Sequence, residues 1–369
     1  MMKVPLLDLK PQYAPIREEI RAAVGKVLDS QQYINGPEVK QLEQAIADYS
    51  GCQRGVAMSS GTDALLCSLM VLGIGQGDEV ICPPFTFFAT AGCIARTGAR
   101  PVFVDIEPDT FNIDPKLIER AITPRTKAIM PVHLFGQCAD MDPILDIARR
   151  HKLRVIEDAA QAIGAKYKGR SAGSMGDFGC LSFYPSKNLS GLGDGGLILL
   201  QDAKLADKCL VCRDHGQKVR YYYQFVGANF RLDTIQAAGL LVKLKYLDGW
   251  AARRIQNARL YDELLAGCDA VVRPRVRPEN HSVYNQYTIR VRARRDELQK
   301  SLQENGVGSC IYYPVPLHVQ ECFKQLGGKP GDFPQTERAC AEVLSLPIFP
   351  ELAPEQITYV AECIKKFVS

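Results

Sequence analysis

The chain has 369 residues, 46% hydrophobic and 23% charged, with a formal net charge of +4. So small a charge, with no basic stripe interleaved with aromatics, argues against nucleic acid as a partner, and the run RVRARR (290–295) reads as a solvated strand end. No apolar run approaches the ~18 residues of a membrane span, and Asp8 and Lys10 interrupt the stretch where a signal peptide would be apolar, so a cytoplasmic protein is expected.

The first 50 residues read as an N-terminal arm and a helix, EVKQLEQAIADYSG, ended by Gly51. From about residue 54 to 200, the apolar strands GVAM, EVICP, PVFVDI, AIMPVHL, RVIED, CLSFY and LILL alternate with helical patterns. The helices include TDALLCSLMVLG, FATAGCIARTG and ILDIARRHK. This rhythm predicts an α/β fold, a mostly parallel sheet with helices on both faces. Two long helical patterns follow, LDTIQAAGLLVKLKYL and WAARRIQNARLYDELLAG. After about 267 a strand (QYTIRV), a helix (RDELQKSLQENG), a strand (SCIYYP) and a terminal helix (PEQITYVAECIKKFV) predict a small α+β unit. The expected division is a large domain over 1–266, arm included, and a small C-terminal domain over 267–369. The 13 cysteines are odd in number and sit in apolar contexts, so most read as small buried hydrophobes. The CxxC pair, Cys209 and Cys212, lies in a helical pattern without a second pair or a histidine at metal spacing, so neither zinc nor redox chemistry is expected there.

Open parallel sheets bind ligands outside the carboxyl ends of their strands, and three polar motifs fall at such ends. In Ser59–Ala64, SSGTDA, a strand ends, Gly61 makes a turn and a helix starts. Free N–H groups and the helix dipole there suit a phosphate, with the Thr62 and Ser60 hydroxyls adding hydrogen bonds. An ordinary N-cap is the alternative, and neither the dinucleotide nor the P-loop glycine pattern matches. In VIEDAAQ two acids, Glu157 and Asp158, end an apolar strand, and a carboxylate there could hold a cationic ring nitrogen and keep a pyridinium protonated; a helix N-cap by Asp158 is the alternative. Lys187 follows 29 residues later, in a turn after Ser182. A free lysine is only about 0.1% neutral at pH 7.4, so a nucleophilic one needs desolvation or a neighbouring cation. Its usual use is a Schiff base with a cofactor aldehyde, against the alternative of a solvated surface charge. The glycines of GLGDGG (191–196) are expected to let the backbone turn tightly from the Lys187 loop into the next strand.

Together these residues resemble the PLP-dependent sugar aminotransferases of fold type I, the DegT/StrS group. The resemblance runs from PLLDLKPQY and INGPEV through SSGTDAL, GDEVICPPFTFFATA, PVFVDIEPDTFNIDP, VHLFGQCADMD, VIEDAAQAIGA, SFYPSKNLSGLGDGG and NFRLDTIQAA to IYYPVPLH. It implies pyridoxal 5'-phosphate (PLP) as cofactor, bound covalently through Lys187, with Asp158 on the pyridine nitrogen and Gln161 near the ring oxygen. It places Gly61, Thr62, Asp63 and Ser182 around the phosphate and Phe87 on the ring face, or Phe88 under a one-residue shift. Asn229 would reach the neighbouring subunit's cofactor phosphate and Arg231 would lie across the same interface near substrate, which implies a homodimer with shared active sites. Tyr312, Tyr313 and His318 would approach the sugar. The implied reaction moves an amino group from L-glutamate to the 3-keto carbon of a UDP-linked 2-acetamido sugar, for lipopolysaccharide or another surface glycan. Lys187 would move the proton between donor and cofactor. A dTDP-3-keto-6-deoxyhexose aminotransferase and a non-catalytic regulatory member of the fold are the alternatives. The 3-dehydratase relatives carry a histidine where Lys187 stands. Phe230, where uronate-type members commonly have a small polar residue, leaves a C6 carboxylate on the sugar open.

Overall fold

In the computed structural model, which describes residues 2–368, the alternating pattern builds a seven-stranded sheet. Its strands are β1 (Arg54–Met58), β2 (Glu79–Cys82), β3 (Arg100–Phe103), β4 (Thr126–Ile129), β5 (Arg154–Asp158), β6 (Phe178–Ser182) and β7 (Gly196–Leu200). They lie in the order β1-β7-β6-β5-β4-β2-β3. Only β7 runs against the others, pairing antiparallel with both β1 and β6.

The strands are buried on both faces, which is why they read as continuous apolar runs. Successive residues still take opposite sides: Val56 and Met58 pack into one helical layer and Ala57 into the other. The first layer holds helices α2 (Gly61–Val71), α3 (Ala89–Arg96) and α5 (Ala203–Arg213), through Leu65, Ile94 and Cys209 among others. The second holds α1 (Pro37–Ser50), α4 (Met141–His151) and α6 (Thr234–Leu244), through Leu42, Ile144 and Leu240. Nine of the thirteen cysteines are buried and all are free thiols, so they serve as small apolar side chains. Among the described residues no helix is long and apolar enough to cross a membrane.

Beyond α7 (Leu247–Leu264), a three-stranded antiparallel sheet joins Val271–Val272, Tyr287–Val291 and Val343–Leu346. SCIYYP was expected to be one of its strands. It makes a single bridge instead, Cys310 with Ser345, and VLSL takes the strand position. Tyr312 and Tyr313 turn away into an aromatic cluster, and Pro314 has no N–H to extend the ladder. The core of this unit draws Ala258, Tyr261 and Leu265 from before residue 267, and Val4 from the arm. Packing therefore crosses the division proposed from sequence.

Candidate active site

The sheet register brings three strand ends to one rim. Asp158 of β5 lies opposite Cys180 of β6, Ser182 of β6 opposite Gly196 of β7, and Gly196 opposite Met58 of β1. Past Met58 the chain enters α2. Ser60 caps that helix, its Oγ accepting the Asp63 N–H at 3.0 Å. The Asp63 carboxylate in turn accepts the hydroxyls of Ser59 at 2.6 Å and Ser60 at 2.8 Å. Asp63 thus closes a cap, which leaves the N–H groups of Gly61 and Thr62 for an anion.

The glycines here are needed for close approach. A Cβ on Gly61 would lie 2.7 Å from the Ser182 Cβ, and one on Gly196 would lie 2.4 Å from the Ser60 carbonyl. None of the four glycines of GLGDGG takes a positive φ, so their expected role in tight turning gives way to close approach: Gly191 and Gly196 meet backbone, Gly193 and Gly195 meet side chains.

Asp158 is 5% exposed. Burial raises its carboxyl pKa, opposed first by the Thr90 hydroxyl, then by the Ala160 N–H and the Lys187 charge. Thr90 donates to Oδ2 at 2.8 Å and Ala160 N–H to Oδ1 at 3.3 Å. Its neighbour Glu157 points to the opposite side of the strand. There it accepts the N–H groups of Gly173, Met175 and Gly176 at 2.6–2.9 Å, and His133 Nε2 lies 2.8 Å away. The His133 Nδ1 accepts the Ala139 N–H, so Nε2 carries the ring proton and donates it to Glu157. Of the two acids ending this strand, one is a structural clamp and the other faces the rim. Thr90 and His133 escaped sequence analysis. The useful signal for Thr90 was a hydroxyl in the first turn of FATAGC, next to the aromatic motif.

Lys187 sits in a turn closed by its own N–H to the Tyr184 carbonyl at 2.8 Å and by Gly191 N–H to the Phe183 carbonyl at 2.6 Å. Its side chain is half-buried and its ammonium makes no ion pair among the described residues. Loss of solvent brings its pKa down to about 8, against the pull of the Asp158 carboxylate. Each of the two groups feels the other's charge, so they lie near one another at this rim.

Gln161 links this rim to the aromatic segment that failed to form a strand. Its Oε1 accepts the Phe135 N–H at 2.7 Å, and its Nε2 donates to the Tyr313 hydroxyl at 3.2 Å. Phe87 lies 6.4 Å from the Tyr313 ring and is 58% exposed, with a free face. Phe88 stacks on Phe323 instead, so the geometry favours Phe87 of the two candidates. Tyr312 is half-buried beside Tyr313, at 5.8 Å between rings.

Three expected site residues lie elsewhere in this chain. His318 is 1% exposed, bonded to Glu337 at 3.2 Å and set edge-on against Phe333, beside the β3 residues Arg100–Phe103. Asn229 is exposed, and Arg231 pairs with Asp214. Neither bonds to Lys187, Asp158, Gln161 or Tyr313 among the described contacts. Phe230 between them turns inward to the α2 and α5 layer. Its ring is therefore core packing in this chain.

Residues 14–365 match the DegT/DnrJ/EryC1/StrS aminotransferase family. A pleiotropic regulatory protein of Geobacillus stearothermophilus is 52% identical over 99% of this chain and 99% of its own. A UDP-N-acetyl-3-dehydro-alpha-D-glucosamine 3-aminotransferase of Acidithiobacillus ferrooxidans is 45% identical over 98% and 97%. A dTDP-3-amino-3,4,6-trideoxy-alpha-D-glucose transaminase of Streptomyces venezuelae is 41% identical over 99% and 96%. Among solved structures, S. venezuelae DesV in complex with a ketimine intermediate gives a TM-score of 0.97 at 41% identity, covering 100% of this chain and 99% of that one. Bacillus subtilis NtdA with bound cofactor PMP gives 0.92 at 34% identity, covering 99% and 86%.

Proposed function

This chain belongs to the DegT/DnrJ/EryC1/StrS aminotransferase family, and from that premise we propose that it moves an amino group from L-glutamate to the 3-keto carbon of a UDP-linked 2-acetamido sugar. It is a PLP-dependent sugar aminotransferase. One observation supports the assignment of the chemistry to particular residues. A desolvated Lys187 shares a rim with a buried Asp158 that has no ionic partner of its own among the described residues.

The residues present fit PLP. The Gly61–Ser182 contact and the Gly196–Ser60 contact form a cradle that any Cβ would fill, below two unengaged N–H groups. When bound, PLP supplies an aldehyde carbon and a ring that withdraws electrons. In this reading Gly61, Thr62 and Ser182 hold the phosphate, and Asp63 acts through the Ser60 cap. Asp158, whose charged form the Thr90 hydrogen bond favours against the effect of burial, would hold the ring N–H. Phe87 covers one ring face, and Gln161, fixed by Phe135 and Tyr313, faces the ring oxygen. Lys187 has a pKa of about 8, and about one-fifth of it is neutral at pH 7.4 by titration arithmetic. The neutral amine is the form that would add to an aldehyde carbon, and, once the incoming donor amine has displaced it, the freed Lys187 would take and return the proton at the donor's α-carbon.

We place Asn229 and Arg231 at the partner's site in a homodimer. Asn229 is exposed, and Arg231 keeps a buried Nε without a partner among the described residues. The UDP-linked, 2-acetamido character of the substrate is supported by the 45% relative, and service to a surface glycan is a further part of the proposal. The dTDP alternative is supported by the 41% relative. The discriminating experiment is the reverse half-reaction. PLP-loaded enzyme is mixed with UDP-linked 2-acetamido-3-amino sugar or dTDP-linked 3-amino-6-deoxyhexose, and the cofactor absorbance is followed. The UDP sugar is expected to react at least ~10-fold faster, the scale of discrimination between related substrates. An equal response removes the UDP preference.

A further inference from the structure

The turn that carries Lys187 is held by one face of α6. Gln236, Gly239 and Lys243 recur at the spacing that puts residues on one side of a helix. The Gln236 Oε1 accepts the Leu192 N–H at 2.7 Å. Gly239 is bare because the Leu192 side chain occupies its Cβ space, at 3.0 Å. Lys243 Nζ donates to the Ser190 carbonyl at 2.8 Å and to its hydroxyl at 3.0 Å. Lys243 is 8% exposed and Ser190 1% exposed.

No carboxylate accompanies that buried ammonium among the described residues, and loss of solvent alone brings its pKa down to about 8. A buried, uncompensated charge weakens a fold. A methionine of similar length would fill the space without that cost. Packing is therefore no reason for a lysine here. What the ammonium adds is two charge-assisted hydrogen bonds to one residue, three positions past Lys187. On the near side, Asn188 is tied to the Val283 carbonyl at 3.0 Å and to Asn285 at 2.8 Å.

We propose that Lys243 is a positioning residue: its ammonium fixes the Tyr184–Leu192 turn through Ser190 and so sets where the Lys187 amine stands. The proposal rests on Lys187 as the covalent lysine. With Lys243 in place, the Gly191 to Phe183 and Lys187 to Tyr184 hydrogen bonds stay closed and the amine is presented to the rim. Without it, the turn frays locally while the sheet and helices persist.

The test compares wild type with Lys243→Met. Amide hydrogen exchange is measured first, on cofactor-free protein. Exchange in the 184–192 peptide is expected to rise about 10- to 100-fold, the worth of one or two charge-assisted hydrogen bonds. Exchange elsewhere, and the thermal midpoint, should hold or improve. On loaded enzyme, the single-turnover rate with glutamate is expected to fall at least ~10-fold through misplacement of the amine, with Lys243→Arg recovering part of it. Unchanged exchange in that peptide, or a rise spread over the sheet with a lower thermal midpoint, overturns the proposal. If Lys243→Met does not fold, Lys243→Gln is judged by the same criteria. Borohydride reduction and peptide mapping of wild type test the Lys187 premise separately. A pyridoxyl group found elsewhere sinks that premise, whereas labelled Lys187 with unchanged exchange sinks the clamp.

Discussion

A single lysine among many acquires meaning from its surroundings. The Lys187 amine has lost solvent, and Asp158 only partly offsets that loss, so its pKa falls to about 8. The sign of the consequence can be stated. The unfolded lysine titrates near 10.5 and the native one near 8, so between those values the unfolded chain binds more protons. This group's destabilising effect is present below pH 8 and is relieved as the pH rises toward 10.5. Lys187→Met should flatten that part of the stability curve in urea titrations of the cofactor-free protein. Lys243 titrates in the same range, so the difference between the two chains isolates Lys187. Capture of PLP by wild type should quicken with pH up to about 8 and then level off, read by stopped-flow absorbance. A profile still climbing steeply at pH 10 would mean an ordinary solvated lysine.

At the scale of elements, the site is made where β1, β6 and β7 deliver backbone against backbone. Gly196 is the sharpest case, with Ser60 2.4 Å from where its Cβ would be. Gly196→Ala should cost about 1–3 kcal/mol, the range for overpacking a rigid contact. It should also weaken PLP binding, since the displaced atoms belong to the phosphate turn. In Gly193→Ala the new Cβ meets only the flexible end of Gln236, at 2.9 Å, so its effect should be smaller on both counts. Urea unfolding with and without PLP checks the order; equal effects of the two substitutions would refute the cradle.

For the whole molecule, the unanswered surface is the hairpin between Asp214 and Asn229. Val219, Tyr221, Tyr222, Tyr223 and Val226 are 60–88% exposed there, an apolar display that a lone chain in water does not favour. It adjoins the Asn229–Arg231 segment and supports the proposed shared dimer. A mixing experiment tests it. Lys187→Ala and Asn229→Ala are each expected to be inactive alone. In a hybrid dimer, one site of two joins the intact Lys187 of one chain to the intact Asn229 of the other, so an equimolar mixture after random exchange should recover about a quarter of wild-type activity on simple counting of sites. No recovery on mixing would mean that Asn229 serves its own chain or no site at all.

Local pattern was enough for the α/β architecture, because strands buried on both faces and amphipathic helices leave periodic traces that survive without tertiary information. For Lys187, Asp158 and the SSGTDA turn, local pattern offered only strand-end positions with ordinary cap or surface readings beside them, and the family resemblance was what joined them into one candidate site. Side-chain direction was another matter. Glu157 and Asp158 are neighbours in sequence, yet the pleat sends one to a backbone clamp and the other to the rim. Phe230 went inward and His318 was enclosed by Glu337 and Phe333, which no motif could reveal. Thr90 and Lys243 matter through partners 68 and 53 residues away. Such contacts exist only once the chain has closed, because a hydrogen bond is fixed by distance and direction in space and leaves no periodic trace along the sequence.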